Sequence, residues 1–125
     1  MNNLEIEQMI KDLKIKNFIG VFMRDQIPNI SDPLFYFIYN TQCSFENGAH
    51  WITFCKINKK YYHYCPYGSD PSKEIIDKYN PVLSSTFRFQ NFDEKSCGLY
   101  CILLIYLLDK GNSFEDSVLE LLKYR

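Results

Sequence analysis

The longest uninterrupted apolar run in the chain, Gly98-Leu99-Tyr100-Cys101-Ile102-Leu103-Leu104-Ile105-Tyr106-Leu107-Leu108, constrains the fold more than any other segment. A helix needs about 20 apolar residues to cross a bilayer, and this run falls far short, so it reads as a helix buried in a protein core. Cys97 stands at its mouth. The start of a helix leaves backbone N–H groups unpaired and carries a partial positive charge. Both favour a thiolate over a thiol, and the thiolate is the reactive form. A base would then have to lie nearby. The chain holds two histidines. His50 lies in Gly48-Ala49-His50-Trp51-Ile52-Thr53-Phe54, where a glycine precedes an aromatic and β-branched run that reads as a strand. His63 alternates with Tyr62 and Tyr64 and reads as structural or exposed.

Around the apolar helix the pattern alternates rather than repeats. Asn3 is placed to cap an opening helix that runs to about Leu13, with Leu4, Met9, Ile10 and Leu13 available for one apolar side. Strands are expected at Phe18–Phe22, Leu34–Asn40, Trp51–Ile57, Tyr61–Cys65 and Thr86–Phe89. The five prolines fall between these segments or at their ends, where a missing N–H matters least. Residues 70–79 read as a short helix with Pro71 in its first turn. Ser113-Phe114-Glu115-Asp116 resembles a capping box ahead of a terminal helix carrying Val118, Leu119, Leu121 and Leu122. The expected fold is α+β: a mixed, mostly antiparallel sheet flanked by helices, with the Cys97 helix packed against it. At 125 residues, 1–125 form a single domain able to bury about two thirds of the surface its unfolded chain exposes.

Charge and cysteine usage exclude several classes. With 14 basic and 15 acidic residues, the formal net charge of -1 argues against a dominant nucleic-acid-binding surface. The first ten residues carry Glu5 and Glu7 where a signal peptide needs a positive region and a continuous apolar core, so an intracellular protein without a membrane anchor is expected. Cys43, Cys55, Cys65, Cys97 and Cys101 are an odd set without CxxC pairs, most simply free thiols in a reducing compartment. Neither a structural metal nor a cofactor is expected.

Three pieces of sequence then come in order: Gly48-Ala49-His50-Trp51 at the start of a strand, Cys65-Pro66-Tyr67-Gly68 at the end of the next, and Gln90-Asn91-Phe92-Asp93-Glu94-Lys95-Ser96-Cys97-Gly98. In order and spacing they resemble the adenovirus maturation proteases, the adenain family. The relatives encoded by virophages and Maverick/Polinton elements are closer still, because residues 17–28 also resemble their N-terminal segment. SUMO-type proteases are more distant cousins. The resemblance covers roughly residues 15 to 108 and implies a papain-like or adenain-like cysteine peptidase core.

It further implies a set of roles. Cys97 would be the nucleophile, His50 the base, and Gln90, seven positions before Cys97, an oxyanion donor together with the Cys97 backbone N–H. Gly48 and Trp51 would border the bound substrate, Trp51 being either a core ring or a shield over the histidine. Cys101 reads as a small core hydrophobe. One position departs from the family: the Asp or Glu that orients the histidine is replaced by Cys65. The thiol could keep part of that role, a nearby carboxylate such as Asp70 could take it over, or it could be lost. A natural dyad enzyme, an impaired relative and a thiol with another task all remain open. The substrates implied are viral precursor capsid and core polypeptides cut during virion maturation, by a monomer located in the virion and the infected cell. An activating peptide and DNA are further partners of the family. Its activating disulfide is not expected here, since no cysteine lies near Tyr79, and the near-neutral charge argues against DNA. A protease for ubiquitin-like or SUMO-like modifiers and a peptide-binding module built on an impaired protease are the alternatives.

Overall fold

The computed structural model describes residues 1–41, 50–66, 68–85 and 94–123. In chain order they form α1 (Asn3–Asp12), β1 (Phe18–Met23), a 3-10 turn at Arg24–Gln26, β2 (Phe35–Asn40), β3 (Trp51–Ile57), β4 (Lys60–Tyr64), α2 (Lys73–Lys78), β5 (Val82–Ser84), α3 (Glu94–Asp109) and α4 (Phe114–Leu122). The strands make one mixed sheet in the order β1-β2-β3-β4-β5. Its centre is antiparallel, β2 on β3 and β3 on β4, and each edge strand runs parallel to its neighbour. Phe-Tyr-Phe-Ile-Tyr-Asn of β2 is buried along its whole length, as a strand covered on both faces requires. The β3–β4 hairpin closes after Ile57↔Lys60 through Asn58 and Lys59, both at positive φ (51 and 68), the backbone that matches a two-residue turn to strand twist.

Alternation along the strands divides the interior in two. Tyr36 and Ile38 of β2, Cys55 of β3, and Tyr62 and Tyr64 of β4 face α1, α3 and α4. Phe35, Phe37 and Tyr39 of β2, with Ile52 and Phe54 of β3, face the other way and pack with Ile75 and Tyr79 around α2. The Tyr79 ring lies 4.7 Å from that of Phe54, and its hydroxyl donates to the Pro28 carbonyl at 2.6 Å, pinning the β1–β2 connection beneath the sheet.

Several elements differ from expectation by a residue or a face. Asn2, not Asn3, caps α1: its side chain accepts from the Glu5 N–H while Glu5 returns a bond to the Asn2 N–H. That frame turns Ile6 and Ile10 inward and leaves Leu4 and Leu13 exposed, so the expected apolar side is corrected to a narrower one. Helix α2 begins after Ser72, and Pro71 therefore lies outside it. A strand is found at Val82–Ser84, paired in parallel with Tyr61–His63. Three residues are too few to show a period of two. The strand expected at Thr86–Phe89 lies outside the described residues. Ser113 caps α4 as expected, accepting from the Asp116 N–H at 3.1 Å. Among the described residues no helix is long and apolar enough to cross a membrane.

Candidate active site

Helix α3 starts at Glu94, which makes Cys97 its fourth residue. Cys97 therefore lies at the end of the first turn, where the partial positive charge of the helix start still acts. The side chain meets β3 edge-on. The Trp51 N–H donates to Cys97 Sγ at 3.2 Å, and Sγ donates in return to the Trp51 carbonyl at 3.0 Å. One turn further along α3, Cys101 Sγ donates to the same carbonyl at 3.2 Å, and the Thr53 hydroxyl donates to the Cys101 carbonyl at 3.3 Å. Residues four apart on a helix share a face, and here that face carries two thiols against one strand. Both cysteines are completely buried.

His50 immediately precedes β3. Its carbonyl accepts the Thr41 N–H at 2.9 Å, which carries the β2–β3 ladder one pair beyond Asn40↔Trp51. Arg24, in the 3-10 turn after β1, donates through Nη1 to the Thr41 carbonyl at 2.8 Å and lies 3.5 Å from Glu74 of α2. The half-buried histidine is therefore held where the hairpin is tied to two other elements. Consecutive Cα atoms lie about 3.8 Å apart, so the residue that grips the Cys97 thiol is one step along the chain from His50.

Trp51 belongs to the core, 7% exposed, and its indole N–H donates to the Met1 carbonyl at 2.9 Å. Gly98 completes the contact. A Cβ at this glycine would stand 3.1 Å from Met1 Sδ and 3.2 Å from Trp51 Cδ1, so the absence of a side chain lets the first residue and the indole close over the start of α3.

Cys65 follows β4 directly. Extending the β3–β4 register by one pair sets it opposite Ile52, and its thiol, 1% exposed, packs in the second core with Ile52 and Phe54. The Cys65 carbonyl accepts the Gly68 N–H at 2.9 Å, closing a tight turn in which Gly68 takes a positive φ of 72. Asp70, the other carboxylate considered for this place, is exposed. Gln90, Gly48 and Cys43 lie outside the described residues.

His63 is the buried, structural alternative of its two readings. It lies on the α2 side of the sheet, while Cys97 packs on the opposite side. Its Nε2 is 3.1 Å from the Tyr39 hydroxyl, which is 3.3 Å from Ser72 Oγ. Its Nδ1 is buried and has no hydrogen-bond partner among the described residues. Burial pushes its pKa down to about 4. The neutral ring with its proton on Nε2 fits this setting, since a bare Nδ1 lone pair is less costly to bury than an unpaired N–H. The sheet thus keeps His63 away from the thiol and leaves His50 as the histidine near it.

On the Cys97 side the groups are held neutral by burial. Burial raises the Cys101 thiol well above its ordinary value, and the hydrogen bond and charge of Cys97 push it the same way. Tyr64 of β4 is raised strongly, by burial first and then by Cys101 and Cys97. The Cys55 thiol is raised by burial alone. No group of three or more His, Cys, Asp or Glu able to hold a metal ion occurs among the described residues. The sequence left Cys101 as a core hydrophobe and assigned nothing to Thr53. The i,i+4 spacing from Cys97 was the one signal that could have brought Cys101 to the site.

The sequence matches no protein-family profile and no curated protein. Among solved structures the fold is similar to that of the crystal structure of selenomethionine ASFV pS273R protease, at a TM-score of 0.52 and 17% sequence identity. The likeness covers 71% of this chain and 39% of that one, so the chain corresponds to well under half of the protease it resembles. The α+β arrangement of a mixed sheet with flanking helices is thus similar to that of part of this protease.

Proposed function

We propose that this chain is a cysteine peptidase that hydrolyses peptide bonds in viral precursor polypeptides during virion maturation. The observation that carries the reading is the docking of Cys97 Sγ on the backbone of Trp51, 3.2 Å from its N–H, because it brings the first turn of α3 to the residue that follows His50. In this reading the Cys97 thiolate attacks the scissile carbonyl and His50, as imidazolium, protonates the departing amine. Water then releases the acyl-enzyme with His50 as base. By the family resemblance, Gln90 and the Cys97 N–H would receive the oxyanion. Because the thiol is buried and turned toward the Trp51 carbonyl, turnover includes a step in which Sγ swings away from it. An activating peptide of the family's kind, the monomeric state and the place in the virion belong to the same proposal.

A second reading, a peptide-binding module on an impaired protease, is favoured by one observation. Cys65 sits in an apolar cluster in place of the carboxylate that would orient the histidine. Labelling with a peptide that carries a thiol-reactive electrophile separates the two. The peptidase reading expects one adduct, mapped to Cys97, formed much more slowly by His50→Ala, together with peptide cleavage that disappears in Cys97→Ala. Peptide binding with no adduct on Cys97 would establish the module instead.

A further inference from the structure

The Trp51 carbonyl is asked to serve two thiols. Cys97 Sγ and Cys101 Sγ both donate to it, at 3.0 and 3.2 Å, and its two lone pairs accommodate both while both are protonated. Ionisation of Cys97 changes this. The sulfur keeps the Trp51 N–H at 3.2 Å as a donor, yet it now faces the same residue's carbonyl oxygen with no proton between them. That oxygen is partly negative and buried, so a thiolate close to it is disfavoured unless another proton occupies the oxygen. Cys101 Sγ donates such a proton, at 3.2 Å. We infer that Cys101 is a positioning residue for Cys97: its S–H holds the Trp51 carbonyl oxygen when Cys97 gives up its own proton.

Two further observations support the assignment. The Thr53 hydroxyl bonds the Cys101 carbonyl, so the second turn of α3 is fixed to β3 independently of either thiol. Burial and the neighbouring Cys97 both keep Cys101 protonated, as a donor must be. The titratable groups around the pair are Tyr64 and Cys65 from β4 and the turn after it, Cys55 from β3, Tyr100 from α3 itself, and His50 ahead of β3.

The inference rests on the peptidase reading of Cys97, and the test keeps the two apart. The rate of Cys97 alkylation by iodoacetamide, with the modified residue mapped by mass spectrometry, is followed against pH for the native chain, Cys101→Ser and Cys101→Ala. Serine keeps an O–H donor and alanine does not, and thermal melts of all three establish that each is folded. The midpoint for Cys101→Ala is expected to rise by about half to one pH unit, a three- to tenfold smaller thiolate fraction below it, while Cys101→Ser stays near the native value. Coincident native and alanine midpoints would overturn the inference and leave the peptidase reading standing. A serine midpoint displaced as far as the alanine one would also overturn it, by showing that shape matters and the proton does not. If Cys97 of the native chain resists alkylation until it is unfolded, the peptidase reading fails and this inference goes with it.

Discussion

Acid should destabilise this protein through His63 as pH falls from about 6.5 toward about 4. The imidazole is completely buried, neutral, and held at about 4, against an ordinary value near 6.5. The folded state therefore resists a proton that the unfolded chain accepts freely. A lowered pKa means that the stabilisation is fully present above the unfolded value and is lost as pH falls through the folded one, here between about 6.5 and about 4. The whole effect corresponds to about 3.4 kcal/mol, from a 2.5-unit difference at 1.36 kcal/mol per unit. Integrating from about pH 7.5 to about pH 5 takes in roughly 2 kcal/mol of it, a large share of the stability of a small domain. Urea denaturation at those two pH values measures it directly. His63→Gln keeps a polar group opposite the Tyr39 hydroxyl and removes the titration, so any other group that titrates in this range cancels in the comparison. The native chain should lose about 2 kcal/mol more than the variant between the two conditions. Equal losses in both would refute the argument, because the buried ring would then not be the group that takes up the proton.

Gly98→Ala should lower stability by about 1 kcal/mol despite alanine's better helix propensity. The new Cβ meets the pinned indole at 3.2 Å, and a thermal melt that rose instead would show that Trp51 yields. Arg24→Ala should cost about 1 kcal/mol through the lost bond to the Thr41 carbonyl, whereas Glu74→Gln should stay within about 0.5 kcal/mol because that ion pair is long and partly solvated. Urea titrations giving the two variants equal losses would place the energy in the ion pair. Cys65→Asp should speed single-turnover peptide cleavage by about tenfold to a hundredfold if the position orients His50, and equal rates for the native chain, Cys65→Asp and Cys65→Ala would remove that role.

Where a segment was long and periodic, the residues alone located it. Trp51–Ile57 is bounded as expected, and β1, β2 and β4 are displaced by a residue at most at either end. The apolar run after Cys97 is a helix packed on the sheet, with Cys101, Ile102, Leu104, Ile105 and Leu108 turned into the core. Short or locally governed features were less legible. The three residues of β5 have no period to read, and the register of α1 depended on whether Asn2 or Asn3 captured the Glu5 N–H, a choice between adjacent identical side chains. The site divides in the same way. Sequence proximity joins His50 to Trp51, and the apolar run positions Cys97, but that the two segments meet through the Trp51 backbone is a property of how α3 lies on β3. The convergence of two thiols on one carbonyl is a further step removed, since it needs both the helical spacing and that docking.

The same geometry gives Cys65 a physical meaning beyond the loss of a carboxylate. At 1% exposure beside Ile52 and Phe54, an ionised carboxylate here would be tolerated only when paired and hydrogen-bonded, as with an imidazolium at His50. A thiol carries no such demand: it packs as a small apolar group whether His50 is charged or neutral. With Cys65 no carboxylate charge is placed there, and the His50 backbone is held through Thr41, whose carbonyl accepts from Arg24. Cys65→Asp would restore that charge. If the aspartate pairs with His50, the variant should be as stable as the native chain near neutral pH and faster in cleavage. If it finds no partner, it should be destabilised by several kcal/mol, with no gain in rate.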